Sequence, residues 1–267
     1  MSFKKYLTLA NAAIMEQLQF RLGTAAIVLG NMIYLVIIYY LWRAIYAAAD
    51  SEVVNGMTFT DTMIYLTLAS ALFYFMEKYI IWGVGRDIRS GQIIIDMLKP
   101  MNYISYTFWK CSGSYVIAFI TSFLPTAIIV YIITKGAIHL GINLFFFAVS
   151  ILFSALLNYF IDFFTGTICI YTQSIWGVNI VKEVIVSVLS GASIPVVFFP
   201  DILKSFVYLL PFQAIYNTPL RLLIDLSISD SERLKLLILQ MTWVIIMAGV
   251  VKLFWKLSLK KIMINGG

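Results

Sequence analysis

Residues 22–42 read LGTAAIVLGNMIYLVIIYYLW, a run of 21 residues that contains no charged side chain. A helix needs about 20 apolar residues to cross the hydrocarbon core of a bilayer, so this run by itself predicts a transmembrane helix. The run is also longer than the about 7–15 apolar residues of a secretory signal, and we therefore expect it to be kept as a span rather than cleaved.

Five further apolar stretches follow, each separated from the next by a polar break. The six predicted spans are residues 22–46, 59–83, 114–134, 143–172, 180–199 and 234–257. Hydrophobic residues make up 61% of the 267 and charged residues only 12%, more apolar surface than a soluble fold of this length can bury. No break reaches the roughly 50 residues of a small soluble domain. We therefore predict an all-α integral membrane protein whose residues 1–267 form one transmembrane domain.

Residues 1–21, before the first span, carry their apolar side chains at helical spacing. The apolar residues on one face are Phe3, Tyr6, Leu7, Ala10, Ile14 and Leu18. This pattern is typical of a helix that lies along the membrane surface, and we predict an N-terminal interfacial helix. An ordinary helix that only leads into the first span explains the pattern equally well.

Basic residues are distributed unevenly among the polar breaks. If the N-terminus is cytosolic, the inner side carries twice as many Lys and Arg residues as the outer side, which is the bias that orients membrane proteins. We predict a multi-pass protein of the plasma membrane with both termini in the cytosol. The same bias explains the net charge of +6, so we predict no nucleic-acid binding.

Residues that commonly bind metals are sparse. Cys111 and Cys169 belong to no CxxC or Cys/His pattern, and His139 is the single histidine. We therefore predict no disulfide, no zinc site and no catalytic, cofactor-binding or metal-binding residue in the chain.

Glu77, Lys78 and Asp162 place charges inside the predicted second and fourth spans. A charge at the centre of a bilayer costs at least about 2.5–3.5 kcal/mol, so such residues are functional candidates. Their distance from the outer ends of their spans places all three near the cytosolic edge, where water is within reach. Two interpretations stay open: a structural role at the interface or between helices, and an inner entrance for a substrate.

The break after the second span, residues 84–113, contains the stretch GRDIRSGQIIIDMLKP at residues 85–100. A Gly before it and a Pro after it bracket a short apolar helix with charged neighbours. A helix of two turns cannot bury its apolar side alone, so we expect it to dock on the membrane domain or on another protein. The alternative is an ordinary surface loop.

The segment after the fifth span is interrupted by prolines. Residues 190–200 read SGASIPVVFFP, residues 209–213 read LLPFQ, and Pro219 follows. Proline breaks a helix, yet aromatic residues and leucines continue between the breaks, which predicts short helices that dip back into the outer leaflet across residues 200–232. An interfacial hairpin without a part in gating is the alternative.

These two stretches, in this order within a six-span chain, resemble the membrane-spanning permeases of type-2 ABC exporters, of the kind encoded as unlike pairs beside one ATPase. In that family a basic residue, a Ser-Gly pair and a Leu-Lys/Arg-Pro ending mark the coupling helix, which seats in the ATPase subunit. The resemblance assigns the coupling role to Arg86, Asp87, Arg89, Gly91, Gln92, Ile94, Leu98, Lys99 and Pro100. It assigns an outer re-entrant helical gate to Pro195, Phe198, Phe199, Pro200, Pro211 and Phe212.

The resemblance implies an ATP-driven exporter of an amphipathic drug, antimicrobial peptide or lipid. The chain has no G-x-x-x-x-G-K-[ST] phosphate loop, so ATP and Mg are expected on separate ABC ATPase subunits. The other expected partners are a second permease chain, identical or related, and the lipid bilayer. Three alternatives remain: a secondary transporter driven by an ion gradient, an integral-membrane enzyme, and a membrane subunit without transport activity.

Overall fold

The computed structural model describes residues 4–19, 21–49, 51–134, 138, 141–172, 174–225 and 227–265. Its helices are α1 (Lys4–Gln19), α2 (Arg21–Ala49), α3 (Phe59–Met76), α4 (Ile80–Arg89), α5 (Gln92–Met97), α6 (Tyr103–Ala118), α7 (Leu124–Thr134), α8 (Ile142–Thr172), α9 (Trp176–Leu189), α10 (Asp201–Leu209), α11 (Asn217–Ile224) and α12 (Asp230–Asn265). A two-stranded antiparallel hairpin, β1 (Val53–Val54) and β2 (Met57–Thr58), joins α2 to α3. His139, which is part of the prediction that the chain has no zinc site, lies outside the described residues.

Within this part of the chain, five helical segments are long and apolar enough to cross a membrane. They are Ala26–Ala49, Phe59–Arg89, Tyr103–Thr134, Ile142–Thr172 and Asp230–Lys261. They overlap the predicted spans other than 180–199. The prediction of an all-α integral membrane protein is confirmed at this level.

Helix α8 is the centre of the bundle. It packs against α12, α4, α11 and α9. Half of the residues in its most apolar stretch of 18 residues are buried. Helix α2, in contrast, is attached at its second half, where Ile38, Trp42 and Tyr46 are buried against the core. Most of the rest of α2 is exposed, so this helix is available to lipid or to another chain.

The predicted second span, 59–83, is interrupted. Helix α3 ends at Met76, and α4 resumes at Ile80 after Tyr79, whose φ of 52° is left-handed. Two side chains bind carbonyl groups left free at the end of α3: Asn158 Nδ2 donates to Met76 O (3.1 Å), and Lys78 Nζ donates to Tyr74 O (3.2 Å). The break contains no Gly or Pro, so local sequence does not reveal it.

The predicted fifth span, residues 180–199, differs from the helix found there. Helix α9 begins at Trp176 and ends at Leu189, and its 14 residues reach only about 21 Å. Gly191 then adopts a φ of 83°, a left-handed conformation that cannot continue a right-handed helix and that glycine takes more readily than other residues. Pro195, which lacks an N–H donor, lies beyond this turn.

The predicted loop 84–113 is largely helical. Helix α4 extends to Arg89, and α6 begins at Tyr103, before the predicted third span at 114–134. Helix α6 continues into α7 through a π-helical turn, Phe119–Phe123. Pro125 follows directly and cannot donate an N–H to the preceding turn, which favours this irregular turn.

Helix α1 packs on α6, and Gly113 is the point of closest approach. A Cβ atom at Gly113 would clash with the carbonyl oxygen of Ala10 and would lie 2.7 Å from the amide nitrogen of Ile14. The rings of Tyr6 and Trp109 meet at 5.7 Å between centroids on the same interface. The N-terminal helix is therefore held against the bundle by a glycine contact.

Gly113→Ala is expected to destabilise the protein by about 1–3 kcal/mol, because the added methyl group forces the backbones of α1 and α6 apart. Gly249→Ala is the matched control, since no atom lies within 4 Å of a Cβ built there. Thermal unfolding in detergent and protease accessibility of α1 measure the effect. Equal melting temperatures for the two variants would contradict the assigned contact.

Candidate functional site

Helix α5 presents an apolar surface away from the bundle. Ile93 and Asp96 are buried, whereas Ile94, Ile95, Met97 and Leu98 are 49%, 57%, 41% and 81% exposed. We call these four exposed residues the α5 patch. Four large apolar side chains on one short, surface-exposed segment are typical of a surface that docks into another protein.

Charged and polar contacts hold α5 in place. Gly91 enters the helix with a φ of 72°, which gives the sharp turn after α4. The ammonium group of Lys99 lies 2.7 Å from the Asp96 carboxylate, donates to Tyr106 Oη (2.8 Å) and sits over the Tyr106 ring. The hydrogen bond to Asp96 raises the pKa of Lys99, so this residue stays cationic at neutral pH.

A charged groove of about 430 Å³ runs beside the α5 patch. It is lined by Arg86, Asp87, Ser90, Gln92, Asp96, Lys99, Tyr106 and Lys110. The structure therefore brings together four of the predicted coupling residues, and it places Arg89 and Pro100 on the exposed surface nearby. The sequence interpretation missed Lys110, which lies one helix further along the chain.

A second group of charged residues lies at the break between α3 and α4. Asp162 of α8 and Lys182 of α9 form an ion pair at 3.0 Å, with side chains 5% and 13% exposed. Asn158, one turn before Asp162, donates to its carboxylate at 3.3 Å. Asp162, predicted as part of an inner entrance, is thus tied to a neighbouring helix.

Asp162 ends a stripe of buried polar residues on α8. Ser150, Ser154, Asn158 and Asp162 follow one another at intervals of four, so they lie on one helix face. Each bonds to a different neighbour: Ser150 to Gln240 of α12, Ser154 to the Ala214 carbonyl, Asn158 to the Met76 carbonyl and Asp162 to Lys182. Polar side chains therefore connect α8 to the elements around it.

Gln240 extends this network to the segment between α9 and α12. Its side chain is fully buried, and the two N–H groups on Nε2 are shared among three acceptors, Ser154 Oγ (2.8 Å), Ala214 O (2.8 Å) and Ser150 O (3.0 Å). A buried amide with all its groups bonded fixes how these elements pack, because any other arrangement leaves it unpaired.

The predicted outer gate residues lie in the turns that precede two short helices, α10 and α11. Pro200 precedes α10, which is largely exposed, and Pro211 precedes a 3₁₀ turn, Phe212–Ala214, that leads to the buried α11. Pro195, Phe199 and Pro211 are buried, Phe198 and Phe212 are half-buried, and Pro200 is exposed. Phe198 packs on Trp42 of α2 at 4.6 Å between ring centroids. The segment thus contacts α2, most of which is otherwise exposed.

Two adjoining cavities open beside the break between α3 and α4, with volumes of about 650 and 400 Å³. Both are lined by Asn31, Phe73, Tyr74 and Glu183. Glu77 and Lys78 line the larger one only. Two of the three predicted entrance residues therefore face a cavity, while Asp162 does not line it.

Lys182, Glu183 and Asn158 were missed as site residues. Lys182 and Glu183 sit near the start of the predicted fifth span, as charges in an apolar stretch, and this was the signal that could have found them. The described residues contain no group of three or more His, Cys, Asp or Glu side chains placed to hold a metal ion. Cys111 and Cys169 are free thiols.

The sequence model of a family described as "ABC-2 family transporter protein" matches residues 32–266, which is most of the chain. A comparison with curated proteins found no significant match. The matched range covers α5 with its exposed patch, the α8 stripe and most of the residues that line the two cavities, whose lining residues Gln17, Ile27, Val28 and Asn31 precede it. The chain therefore belongs to the ABC-2 family of membrane transport proteins and is an ABC-2 type permease.

Proposed function

We propose that this chain is the membrane-spanning subunit of an ATP-driven exporter that moves an amphipathic cargo out of the cytosol or the inner leaflet. The observation that carries the proposal is the α5 patch beside the charged groove. An apolar surface of this size on a short helix requires a partner, and ABC-2 permeases generally work with ABC ATPase subunits. The ATPase is the partner proposed for this surface, with ATP and Mg bound there.

The proposed orientation places α5 in the cytosol together with both termini. Tyr103 at the start of α6 stacks on Trp255 near the end of α12, at 5.1 Å between ring centroids, so these two ends lie on the same side of the bundle. The five long segments and the shorter α9 then make six crossings. Helices α10 and α11 lie at the opposite end and are the proposed outer re-entrant gate.

In the proposed cycle, the permease alternates between two arrangements of its helices. Closure of the ATPase dimer on ATP moves α5, and α4 and α6, which flank α5 in the chain, transmit the movement to the bundle. A second permease chain completes the path. The exposed faces of α2, α7 and α9 are the surfaces proposed to meet it or the lipid.

Co-purification and reconstituted transport test this function. The tagged permease is expected to bring an ABC ATPase with it from membranes, and vesicles that contain both chains are expected to transport cargo only when ATP is supplied. A purified permease that never binds an ATPase would contradict the proposal.

A secondary transporter is the second candidate, and the buried charges at the break between α3 and α4 favour it. Ionisable residues inside membrane spans are common in ion-coupled transporters. Transport in nucleotide-free vesicles that follows an imposed proton or sodium gradient would support this candidate against the ATP-driven one.

A further inference from the structure

The larger cavity is bounded by α2, α3, α6, α7 and α9, and its size suits a drug-sized molecule. Its volume of about 650 Å³ falls within the roughly 300–1,000 Å³ of small-molecule sites. Ile27, Val28, Met32 and Leu35 supply one wall from α2. The cavity therefore offers an apolar surface next to a group of charged residues. The members of this group are Glu77, Lys78, Asp162, Lys182 and Glu183.

The two cations of this group are already engaged within the protein. Lys182 pairs with Asp162 at 3.0 Å. Lys78 donates to the carbonyl oxygen of Tyr74 and lies 5.5 Å from the centroid of the Tyr115 ring. Both ammonium groups are thus held by carboxylate, carbonyl or aromatic partners.

Two carboxylates of the group form no ion pair among the described residues, although Lys182 and Lys78 lie near enough to Glu77 to attract its charge. No Lys or Arg side chain among the described residues lies within ion-pair distance of Glu77 or Glu183, although both line the larger cavity. Among the residues that the structure describes, one side chain donates a hydrogen bond to these carboxylates: Asn179 donates to Glu183. Because Asp162 and Lys182 cancel each other, Glu77 and Glu183 outnumber the single charge of Lys78, and the formal charge of the group is −1.

Asn31 of α2 adds a polar side chain to the lining of both cavities. Its side-chain amide oxygen is buried and has no hydrogen-bond partner among the described residues. Because that oxygen is closed off from the open space, the charge of the carboxylates, and not this acceptor, favours a cationic ligand.

We propose that this cavity binds an amphipathic organic cation, whose charged group lies between Glu77 and Glu183 and whose apolar body lies against α2. The proposal rests on the transport function proposed above and narrows the cargo to one charge class. In a medium of low dielectric constant, the two carboxylates attract a cation and repel an anion of the same shape. Glu77 and Glu183 are thus specificity-determining residues for the cargo.

Tetraphenylphosphonium and tetraphenylborate test the proposal, because they share size and shape and differ in the sign of their charge. Binding of each is measured by equilibrium dialysis with the purified full-length permease in nanodiscs, and empty nanodiscs are used to subtract partition into lipid. The cation is expected to bind at least about tenfold more tightly than the anion. Glu77→Gln and Glu183→Gln are each expected to weaken cation binding by about fivefold or more and to leave anion binding no weaker.

Asp201→Asn is the matched control, since its carboxylate is 97% exposed and lies outside the cavity. Glu77→Asp, which keeps the charge, should retain the preference for the cation. If the unsubstituted protein binds the two probes equally tightly, this result alone overturns the inference. Correctly folded Glu→Gln variants that bind the cation as the unsubstituted protein does would also overturn it.

The measurement needs no ATPase, so its outcome is separate from that of the proposed function. A preference for the cation in a permease that never binds an ATPase would refute the ATP-driven function and support the cation site. An ATPase-bound permease without this preference would refute the cation site and leave the ATP-driven function standing.

Discussion

Leu98→Glu should abolish ATP-dependent transport and lower recruitment of the ATPase at least about tenfold, while the permease itself stays folded. Leu98 is 81% exposed and makes a large part of the α5 patch, so the bundle does not depend on its side chain. Docking would bury it, which contributes about 1.5–3 kcal/mol, and a carboxylate at the same position would be buried without a partner. Ile94→Glu, at a neighbouring position on the patch, should have the same effect.

Co-purification of the ATPase with the tagged permease, together with the melting temperature of the permease alone, measures this prediction. Leu98→Met is the conservative control and should recruit the ATPase normally, because it keeps an apolar side chain of similar size. Ile202→Glu introduces the same charge at a 90% exposed position on α10, at the opposite end, and should also leave recruitment intact. Normal recruitment by both Leu98→Glu and Ile94→Glu would mean that α5 does not hold the ATPase.

Asp162→Ala should destabilise the fold by about 3–5 kcal/mol, which is the cost of leaving a buried ammonium without its partner. Lys182 is only 13% exposed, and no other carboxylate lies within ion-pair distance of it among the described residues. Lys182→Met should cost a similar amount by isolating Asp162. The double variant Asp162→Leu/Lys182→Met should recover most of the stability, because neither charge is then buried.

A double-mutant cycle followed by unfolding in detergent gives the coupling between the two residues. The exposed pair Asp201–Lys204, at 3.4 Å, is the comparison, and its coupling should stay below about 1 kcal/mol. The assigned ion pair would be refuted if the losses of the two single variants simply added in the double variant.

The stripe on α8 follows a pattern that can be recognised in the sequence alone. Ser150, Ser154, Asn158 and Asp162 recur every fourth residue within an apolar helix. Such spacing places polar groups on one face, and that face must be buried against protein rather than lipid. The stripe could have identified α8 as the central helix, but the neighbour that each side chain contacts could not be deduced from it.

The sequence predicts the short helix α5, but it does not predict the break between α3 and α4. The sequence interpretation expected a short helix after Gly91 whose apolar side needs a partner, and the structure exposes Ile94 and Leu98. The break at residues 77–79 carries no proline or glycine. Lys78 and Asn158 donate hydrogen bonds to backbone carbonyl groups at this break. Asn158 lies 82 positions along the chain from Met76, whose carbonyl group it binds.

By itself, the sequence determined that the protein lies in a lipid bilayer, that it is helical, and approximately where its long apolar segments lie. These follow from local hydropathy, because a bilayer requires an apolar run of a particular length at each crossing. The tertiary structure alone decided that Asp162 pairs with Lys182, that Glu77 faces a cavity and that α9 stops at Leu189. The physical reason is that a buried charge is stabilised by whichever helix lies beside it, and the order of residues along one helix does not specify that neighbour.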